Sequence, residues 1–227
     1  MARVAVLILA ACLMLARSEP GEAFDVKDIV KDIDWAGLGR DTGYVLGYEF
    51  AVGIPLYLAT QPRHDWWDNV RDSRWDKDSG WINYVGHPYF GAAYYIRARE
   101  RGADPIGAFV YSAAMSTLFE YGVEALFERV SYNDLIVTPI AGALIGAFIF
   151  EPLRERIKAK PERAWYQDAV LIATDPIGAA NSAVEWMFGI TPNFQLQMRP
   201  PRALPSARPE TPGRPAHGVS LEARFSF

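Results

Sequence analysis

Two consecutive apolar stretches of the chain carry a polar or small residue at every fourth position, and this spacing constrains the fold more strongly than any other feature. The first stretch carries Ser112, Ser116, Glu120 and Glu124, and the second carries Asp134, Thr138, Gly142 and Gly146. Residues four apart lie on one face of an α-helix, so each stretch predicts a helix with a polar stripe. Because only a few residues separate the stretches, we expect the helices to be antiparallel neighbours.

One antiparallel register places all four layers of these stripes opposite each other. It pairs Glu124 with Asp134, Glu120 with Thr138, Ser116 with Gly142, and Ser112 with Gly146. Serine opposite glycine allows the two backbones to approach closely, whereas the acids meet near the turn. The pattern therefore predicts a carboxylate enclosed between two helices, with Glu120 a full turn deeper than Glu124.

Capping signals divide the rest of the chain into further helices and predict an all-α fold. Asp41 is interpreted as an N-cap, Gly102 as a C-cap, and Asp104-Pro105 as a helix start. Ser131 and Asp134 resemble a capping box in which Asp replaces Glu. The helices predicted from these signals cover approximately residues 41–60, 80–101, 105–129, 131–158 and 165–190, with an interruption at Asp175-Pro176. We expect a membrane-associated helical domain over residues 24–190, a bundle of about four to five apolar helices.

A further stripe, formed by Asn83, His87, Gly91 and Tyr95, lies on the helix predicted over residues 80–101. His87 is followed by proline, as Thr138 is on the later helix. A proline inside a helix frees a carbonyl group one turn back and kinks the axis. Two such kinks beside polar residues predict an opened cavity.

The candidate site combines these stripes. The residues that we expect to act in catalysis or as metal ligands are His87, Glu120 and Asp134, and the identity of a metal or other cofactor is left open. The candidate binding residues are Ser116, Arg129, Thr138 and Asn83.

Each candidate also has a purely structural interpretation. A serine and glycine stripe is typical of close helix packing, Asp134 suits the first turn of a helix, and Glu124 near the turn suits a solvated position. A lone histidine is typically structural. Glu120 is harder to explain, because a buried carboxylate must be paired or protonated, and His87 and Arg129 are the available partners.

Composition and the N-terminus indicate an exported protein. The 227 residues carry a net charge of −4, which gives no reason to expect nucleic acid as a partner, and the single cysteine excludes an intramolecular disulfide and a zinc–cysteine cluster. Residues 1–18 have the basic start, short apolar stretch and small residues of a signal peptide. The alternative is a lipoprotein anchored through Cys12, since "LAAC" at residues 9–12 has the form of a lipoprotein box. Both interpretations place the mature chain in the cell envelope, in the periplasm or at the outer membrane.

The last part of the chain, residues 191–227, is predicted to be a Pro/Arg-rich tail. Its middle cannot bury a core and is predicted to be disordered. The flanking stretches 194–198 and 219–227 alternate apolar and polar residues, which predicts short β-strands, although two strands cannot form a barrel. The tryptophan-rich segment over residues 61–81 is interpreted either as a surface loop or as an interfacial belt.

Several of these motifs resemble known families. Glu120, Arg129, Ser131, Asp134 and the glycines at 142 and 146, with a histidine on an earlier helix, resemble VanZ-like membrane proteins. Val123 and Thr138 depart from that pattern, which expects glutamine and asparagine. The segments "NYVGHPYFGAAYYIRAR", "SAAMSTLFEYGVEALFE", "SYNDLIVTPIAGALIG" and "DPIGAANSAVEW" more closely resemble an uncharacterised bacterial envelope family, domain of unknown function 3943. This resemblance covers roughly residues 40–190 and implies a fold and a compartment, but no activity.

Two hypotheses for function follow, and they leave the question of enzymatic activity open. The first is an exported helical protein that binds membrane lipid or an envelope protein partner through a buried polar cluster. The second is a metal-assisted or acid/base hydrolase acting on an envelope lipid or glycan, although one histidine is a weak basis for a zinc site. Neither hypothesis specifies an oligomeric state.

Overall fold

A computed structural model describes residues 30–60, 65–75 and 80–189 of the chain. The predicted signal peptide at 1–18, Cys12, and the tail at 191–227 with its two predicted strands lie outside these residues. The described part of the chain is helical, and it contains no β-strand beyond one isolated bridge between Arg74 and Ser131. The predicted all-α class and helical bundle are therefore confirmed for the described residues.

The helices follow one another with short connections. They are α1 (Trp35–Thr60), α2 (Trp66–Arg71), α3 (His87–Glu100), α4 (Pro105–Gly122), α5 (Asp134–Ile145), α6 (Glu151–Lys158), α7 (Trp165–Thr174) and α8 (Pro176–Phe188). A π-helical turn, Ile82–Gly86, leads into α3, and a second, Gly146–Phe150, joins α5 to α6. A 3₁₀ turn, Glu124–Leu126, follows α4.

Three predicted helix ends are confirmed by their capping contacts. The carboxylate of Asp104 accepts a hydrogen bond of 2.6 Å from the backbone N–H of Gly107, and that of Asp175 accepts one of 2.9 Å from Gly178. Proline follows each of these aspartates, where its missing N–H costs nothing. Gly102 has a φ of +87°, which favours glycine at this helix end.

The centre of the bundle is formed by α3, α4 and α5, and α3 is its most buried helix. Glycines allow α3 and α5 to cross with their backbones in contact. A Cβ atom added to Gly142 would lie 2.4 Å from the carbonyl carbon of Gly91, and one added to Gly91 would lie 1.9 Å from the carbonyl oxygen of Thr138. Any larger side chain at either glycine would force the two helices apart.

The predicted register between α4 and α5 is wrong by about two turns. The hydroxyl of Ser116 donates a 3.3 Å hydrogen bond to the carbonyl oxygen of Asp134, so Asp134 lies beside Ser116 rather than beside Glu124. Gly142 instead contacts α3, as does Gly146. The glycines of α5 therefore serve the α3 contact and not the predicted serine–glycine layers with α4.

The shift arises because α4 ends earlier than predicted. It stops at Gly122 rather than near residue 129, and residues 123–133 form the 3₁₀ turn and an irregular connection before α5 begins. Asn69 holds this connection against α2. Its side-chain amide donates a hydrogen bond to the backbone carbonyl of Ala125, and its own backbone carbonyl accepts one from the N–H of Val130. A spacing of four residues carries no information about such a connection.

Asp41 is not the N-cap of α1, as predicted, but a buried residue within it. The helix begins six residues earlier, at Trp35, and the carboxylate of Asp34 accepts a 2.9 Å hydrogen bond from the N–H of Gly37. Asp41 is held by three side chains from other helices: Arg101 at 2.7 Å, Arg97 at 3.1 Å and Asn181 at 2.9 Å. A fully buried carboxylate requires such partners, and their identity could not be inferred from Asp41 alone because they lie as many as 140 residues away along the chain.

Among the described residues, one continuous helical segment, 134–158, is long and apolar enough to cross a membrane. In its most apolar window, 44% of the residues are buried inside the bundle. Core helices of soluble proteins meet the same criterion, so this segment alone gives weak evidence for a membrane location.

Candidate functional site

The structure brings together the three predicted residues His87, Glu120 and Asp134. One ligand-type atom from each lies within 4.8 Å of the others, and Nε2 of His87 is 3.4 Å from Oδ1 of Asp134. Asp134 and Glu120 are 0% and 1% exposed, whereas the His87 side chain keeps 14% of its surface exposed. We call these three residues the acid–histidine cluster.

Each member of the cluster lies at the end of a helix. His87 is the first residue of α3, immediately after the π-helical turn Ile82–Gly86, and Pro88 follows it. Asp134 is the first residue of α5, and Glu120 lies in the last turn of α4. A π-helical turn adds a residue to the local repeat and so changes the direction of the side chains that follow it, and such turns are common at functional sites.

Ser131 holds the two acids of the cluster in place. Its backbone N–H donates a 3.1 Å hydrogen bond to Oε2 of Glu120, and its hydroxyl accepts a 3.2 Å hydrogen bond from the N–H of Asp134. The Ser131 hydroxyl bond of the predicted capping box is present, although the helix begins at Asp134 and its N-cap is Asn133. The same residue also fixes the distance between the end of α4 and the start of α5.

Two further predicted residues border the cluster. Ser116 contacts the Asp134 backbone through the hydrogen bond described above. Thr138 lies one turn beyond Asp134 and is 3% exposed, and its hydroxyl has no hydrogen-bond partner among the residues that the structure describes. A buried hydroxyl in this state costs about 1–3 kcal/mol unless a bound molecule satisfies it.

A cleft of about 600 Å³ opens beside the cluster, between α1, the start of α3 and the end of α4. Its polar lining comes mainly from His87, Ser116, Glu120, Glu124, Thr138 and Glu49. Most of the remaining lining is aliphatic or aromatic, including Val52, Leu56, Ile82 and Phe90, all of which are also exposed to solvent. The cleft is therefore apolar along its walls and polar where it meets the cluster.

Comparison with known proteins gives one match. The family model described as "Domain of unknown function (DUF3943)" covers residues 72–177. We call residues 72–177 the DUF3943 segment. Neither a curated protein nor a solved structure matches the chain. The predicted recognition of this family is confirmed, whereas the resemblance to VanZ-like proteins stays a prediction.

The DUF3943 segment contains the whole acid–histidine cluster, and it also contains an acid that sequence analysis interpreted as solvated. Glu124 is mostly buried in the 3₁₀ turn after α4. Burial, together with the nearby charges of Glu120, Asp134 and Glu128, raises the pKa of Glu124 to about 9. Glu124 therefore carries a proton at neutral pH. The sequence signal for Glu124 was its position four residues after Glu120. That signal was misleading because α4 ends before Glu124, so the helical spacing does not apply to it.

Glu49 lies on α1, outside the DUF3943 segment, and sequence analysis assigned it no role. Its carboxylate accepts a 2.8 Å hydrogen bond from the hydroxyl of Tyr94 on the wall of the cleft. Burial raises the pKa of Glu49 to about 7, and the Tyr94 hydrogen bond opposes this shift. Its contact with α3 depends on packing between distant parts of the chain.

The remaining two predicted residues of the DUF3943 segment do not line the cleft. Arg129 forms an ion pair with Asp72 at 3.7 Å, rather than with Glu120 as expected. Asn83 is buried in the π-helical turn four residues before His87. The irregular connection after α4 directs Arg129 toward the α2 side of the molecule.

Proposed function

We propose that the chain is an exported envelope protein that binds an amphiphilic, lipid-like molecule in the cleft. The apolar part of the molecule would lie along the walls, and its head group would face the acid–histidine cluster. The envelope location rests on the predicted signal peptide.

The observation that carries this proposal is the division of one cleft into an apolar part and a polar end. Its volume of about 600 Å³ lies within the range of roughly 300–1,000 Å³ that is usual for small-molecule sites. Val52 and Phe90 expose 69% and 53% of their surfaces although both line the cleft. Exposed apolar side chains around a cleft are typical of sites that bind apolar ligands or membranes.

Exposed indoles near the cleft also favour contact with a membrane surface. Trp66, Trp67, Trp75 and Trp81 are between 43% and 72% exposed, and Trp81 lines the cleft itself. Tryptophan is enriched where lipid meets water, because its ring has both an apolar body and a polar N–H group. These residues belong to the segment that sequence analysis interpreted as a loop or an interfacial belt.

A charge placed on the apolar wall tests the proposal. Val52→Glu is expected to weaken binding of a lysophospholipid with a fluorescent acyl chain by about tenfold or more, since tenfold corresponds to only about 1.4 kcal/mol. Val110→Glu is the matched control, because Val110 is 57% exposed on α4 and does not line the cleft. Equal binding by both variants and the wild-type protein, or no binding by any of them, would refute the proposal.

A second candidate, a hydrolase acting on an envelope lipid or glycan, is favoured by the protonated carboxyl of Glu124 beside the cluster. A proton donor next to a second carboxyl group and an imidazole is an arrangement used in general acid–base catalysis. Incubation of the protein with labelled envelope extract tests this candidate. Product formation that Glu124→Gln abolishes without loss of folding would favour the hydrolase over simple binding.

A further inference from the structure

We propose that His87, Glu120 and Asp134 bind one divalent transition-metal ion, Zn²⁺ or Mn²⁺, at the polar end of the cleft. The donor geometry is the first argument. Ligand atoms about 2.1 Å from a tetrahedral ion lie about 3.4 Å apart, and Nε2 of His87 is 3.4 Å from Oδ1 of Asp134. Glu120 completes a set whose atoms lie within 4.8 Å of one another, and binding would require its side chain to rotate until that separation falls to about 3.4 Å.

Charge is the second argument. Glu120 and Asp134 are almost completely removed from solvent, and Glu124 lies beside them. Buried carboxylates this close repel one another, and the cost falls when a cation or protons offset the charge. Arg129, the cation that the sequence offered for this purpose, forms its ion pair with Asp72. A divalent ion would offset the charge of the two buried ligands directly.

The hydroxyl of Thr138 is an independent observation that points to a bound species. It is 3% exposed, it lines the same cleft as His87 and Glu120, and no described residue forms a hydrogen bond with it. A water molecule on a metal ion would supply the missing partner. Buried polar groups without partners are rare in folded proteins and call for such an explanation.

The surroundings of the cluster also suit a metal site. Ser131 donates its N–H to the carboxylate of Glu120, which is the outer support that metal-binding carboxylates usually have. Its hydroxyl accepts from the backbone N–H of Asp134 and so fixes the first turn of α5. One nitrogen and two carboxylate groups favour Zn²⁺ or Mn²⁺ over Ca²⁺, which prefers oxygen ligands throughout. Three ligands leave one position of a tetrahedral ion for another group, and His87 and Glu120 both line the cleft.

Titration of the chelator-treated, untagged protein with ZnCl₂ or MnCl₂ tests the inference. We expect one equivalent to bind, with weaker binding of Ca²⁺. His87→Gln and Glu120→Gln are each expected to weaken binding by at least about 100-fold, because outer partners alone contribute about 10–100-fold. The chain has two other histidines, so His64→Gln and His217→Gln are matched controls that are expected to bind as the wild-type protein does.

A spectroscopic measurement keeps the inference testable if a variant does not fold. Pulsed EPR of the Mn²⁺-loaded wild-type protein is expected to show coupling to an imidazole nitrogen. The same signal is expected in the His64→Gln and His217→Gln proteins. No stoichiometric binding, equal binding by all variants, or a Mn²⁺ signal without nitrogen coupling would overturn the metal site.

The use of this ion as an anchor for an anionic head group rests on the proposed function. Lysophosphatidylglycerol is then expected to bind the Zn²⁺-loaded or Mn²⁺-loaded protein about tenfold more tightly than the metal-free protein, a difference of about 1.4 kcal/mol. Metal binding without this enhancement would refute the role of the ion as a head-group anchor, while the metal site itself would stand. Enhancement that persists in His87→Gln would assign the effect to ions bound elsewhere.

Discussion

The molecule contains two buried polar clusters that share the same degree of burial but differ in charge balance. In the first, Asp41 is enclosed by Arg97, Arg101 and Asn181, which join α1, α3 and α8. In the second, the acid–histidine cluster, two buried acids and the nearby Glu124 share their surroundings with one partly exposed imidazole.

This difference indicates which cluster is structural. The Asp41 cluster uses positive side chains to hold three helices together, and its carboxylate accepts hydrogen bonds of 2.7 Å from Arg101 and 2.9 Å from Asn181. The acid–histidine cluster places two buried carboxyl groups close together at the polar end of an apolar cleft, an arrangement that protons or the proposed metal ion would stabilise. Sites that bind ligands are often less stable than the structure that supports them.

The largest effect is expected from Asp41→Ala. Removal of the carboxylate breaks its buried ion pairs with Arg97 and Arg101, which keep their second partners Asp175 and Asp34. The free energy of unfolding is expected to fall by about 3 kcal/mol, the lower end of the range for a broken buried ion pair. Urea denaturation at neutral pH measures the change. Asp72→Ala is the control, because Asp72 is exposed and its loss is expected to cost less than about 1 kcal/mol. A loss as small as that of the control would mean that the Asp41 cluster is not the structural one.

Glu49 lies between these extremes, since it is a half-buried acid with one neutral partner, Tyr94. Its pKa is about 7 in the folded protein and ordinary in the unfolded chain, so the folded state binds more protons between about pH 4.5 and 7. Its contribution to stability is complete below the unfolded pKa and is lost as the pH rises through 7.

The expected loss from Glu49 over this interval is about 1–2 kcal/mol, reduced for partial exposure to solvent. The measurement is the difference in unfolding free energy between wild-type and Glu49→Gln proteins from pH 4 to 8. The wild-type curve is expected to fall relative to the variant across the interval. Parallel curves would show that the cleft wall solvates Glu49 as well as water does.

The helices could be predicted from the sequence because their ends carry local signals. Asp104-Pro105, Gly102 and Asp175-Pro176 each specify a cap through chemistry within four residues. The start of α1 was missed because Asp41 satisfies the pattern of a cap, while its real role depends on arginines about 60 residues away. Local chemistry specifies helix ends, and contacts between distant residues decide what becomes buried.

The structure brings the predicted residues His87, Glu120 and Asp134 together although the register was wrong, and their catalytic or metal-binding role stays a prediction. The predicted register placed Asp134 opposite Glu124, one helical turn after Glu120. The structure places Asp134 beside Ser116, one helical turn before Glu120. Both arrangements bring Asp134 close to Glu120, so the convergence survived an error of two turns. The burial of Glu124 was not predicted, because it depends on where α4 ends.

The smallest and most informative effect is expected from Glu120→Gln in the metal-free protein. The substitution removes a carboxyl group from a crowded group of acids, and the amide retains an oxygen that can accept the N–H of Ser131. We therefore expect the free energy of unfolding to stay within about 1 kcal/mol of the wild-type value or to rise, whereas Asp41→Ala lowers it severely.

Urea denaturation of Glu120→Gln beside Glu155→Gln, an exposed control on α6, measures this difference. If the carboxyl group of Glu120 destabilises the metal-free protein, saturating Zn²⁺ or Mn²⁺ stabilises the wild-type protein and leaves the Glu120→Gln protein almost unchanged. A loss of about 3 kcal/mol or more in Glu120→Gln would instead place the acid–histidine cluster in the same structural class as Asp41. The carboxylate of Glu120 would then help to hold α4 against the start of α5, because it accepts a hydrogen bond from Ser131 at that junction.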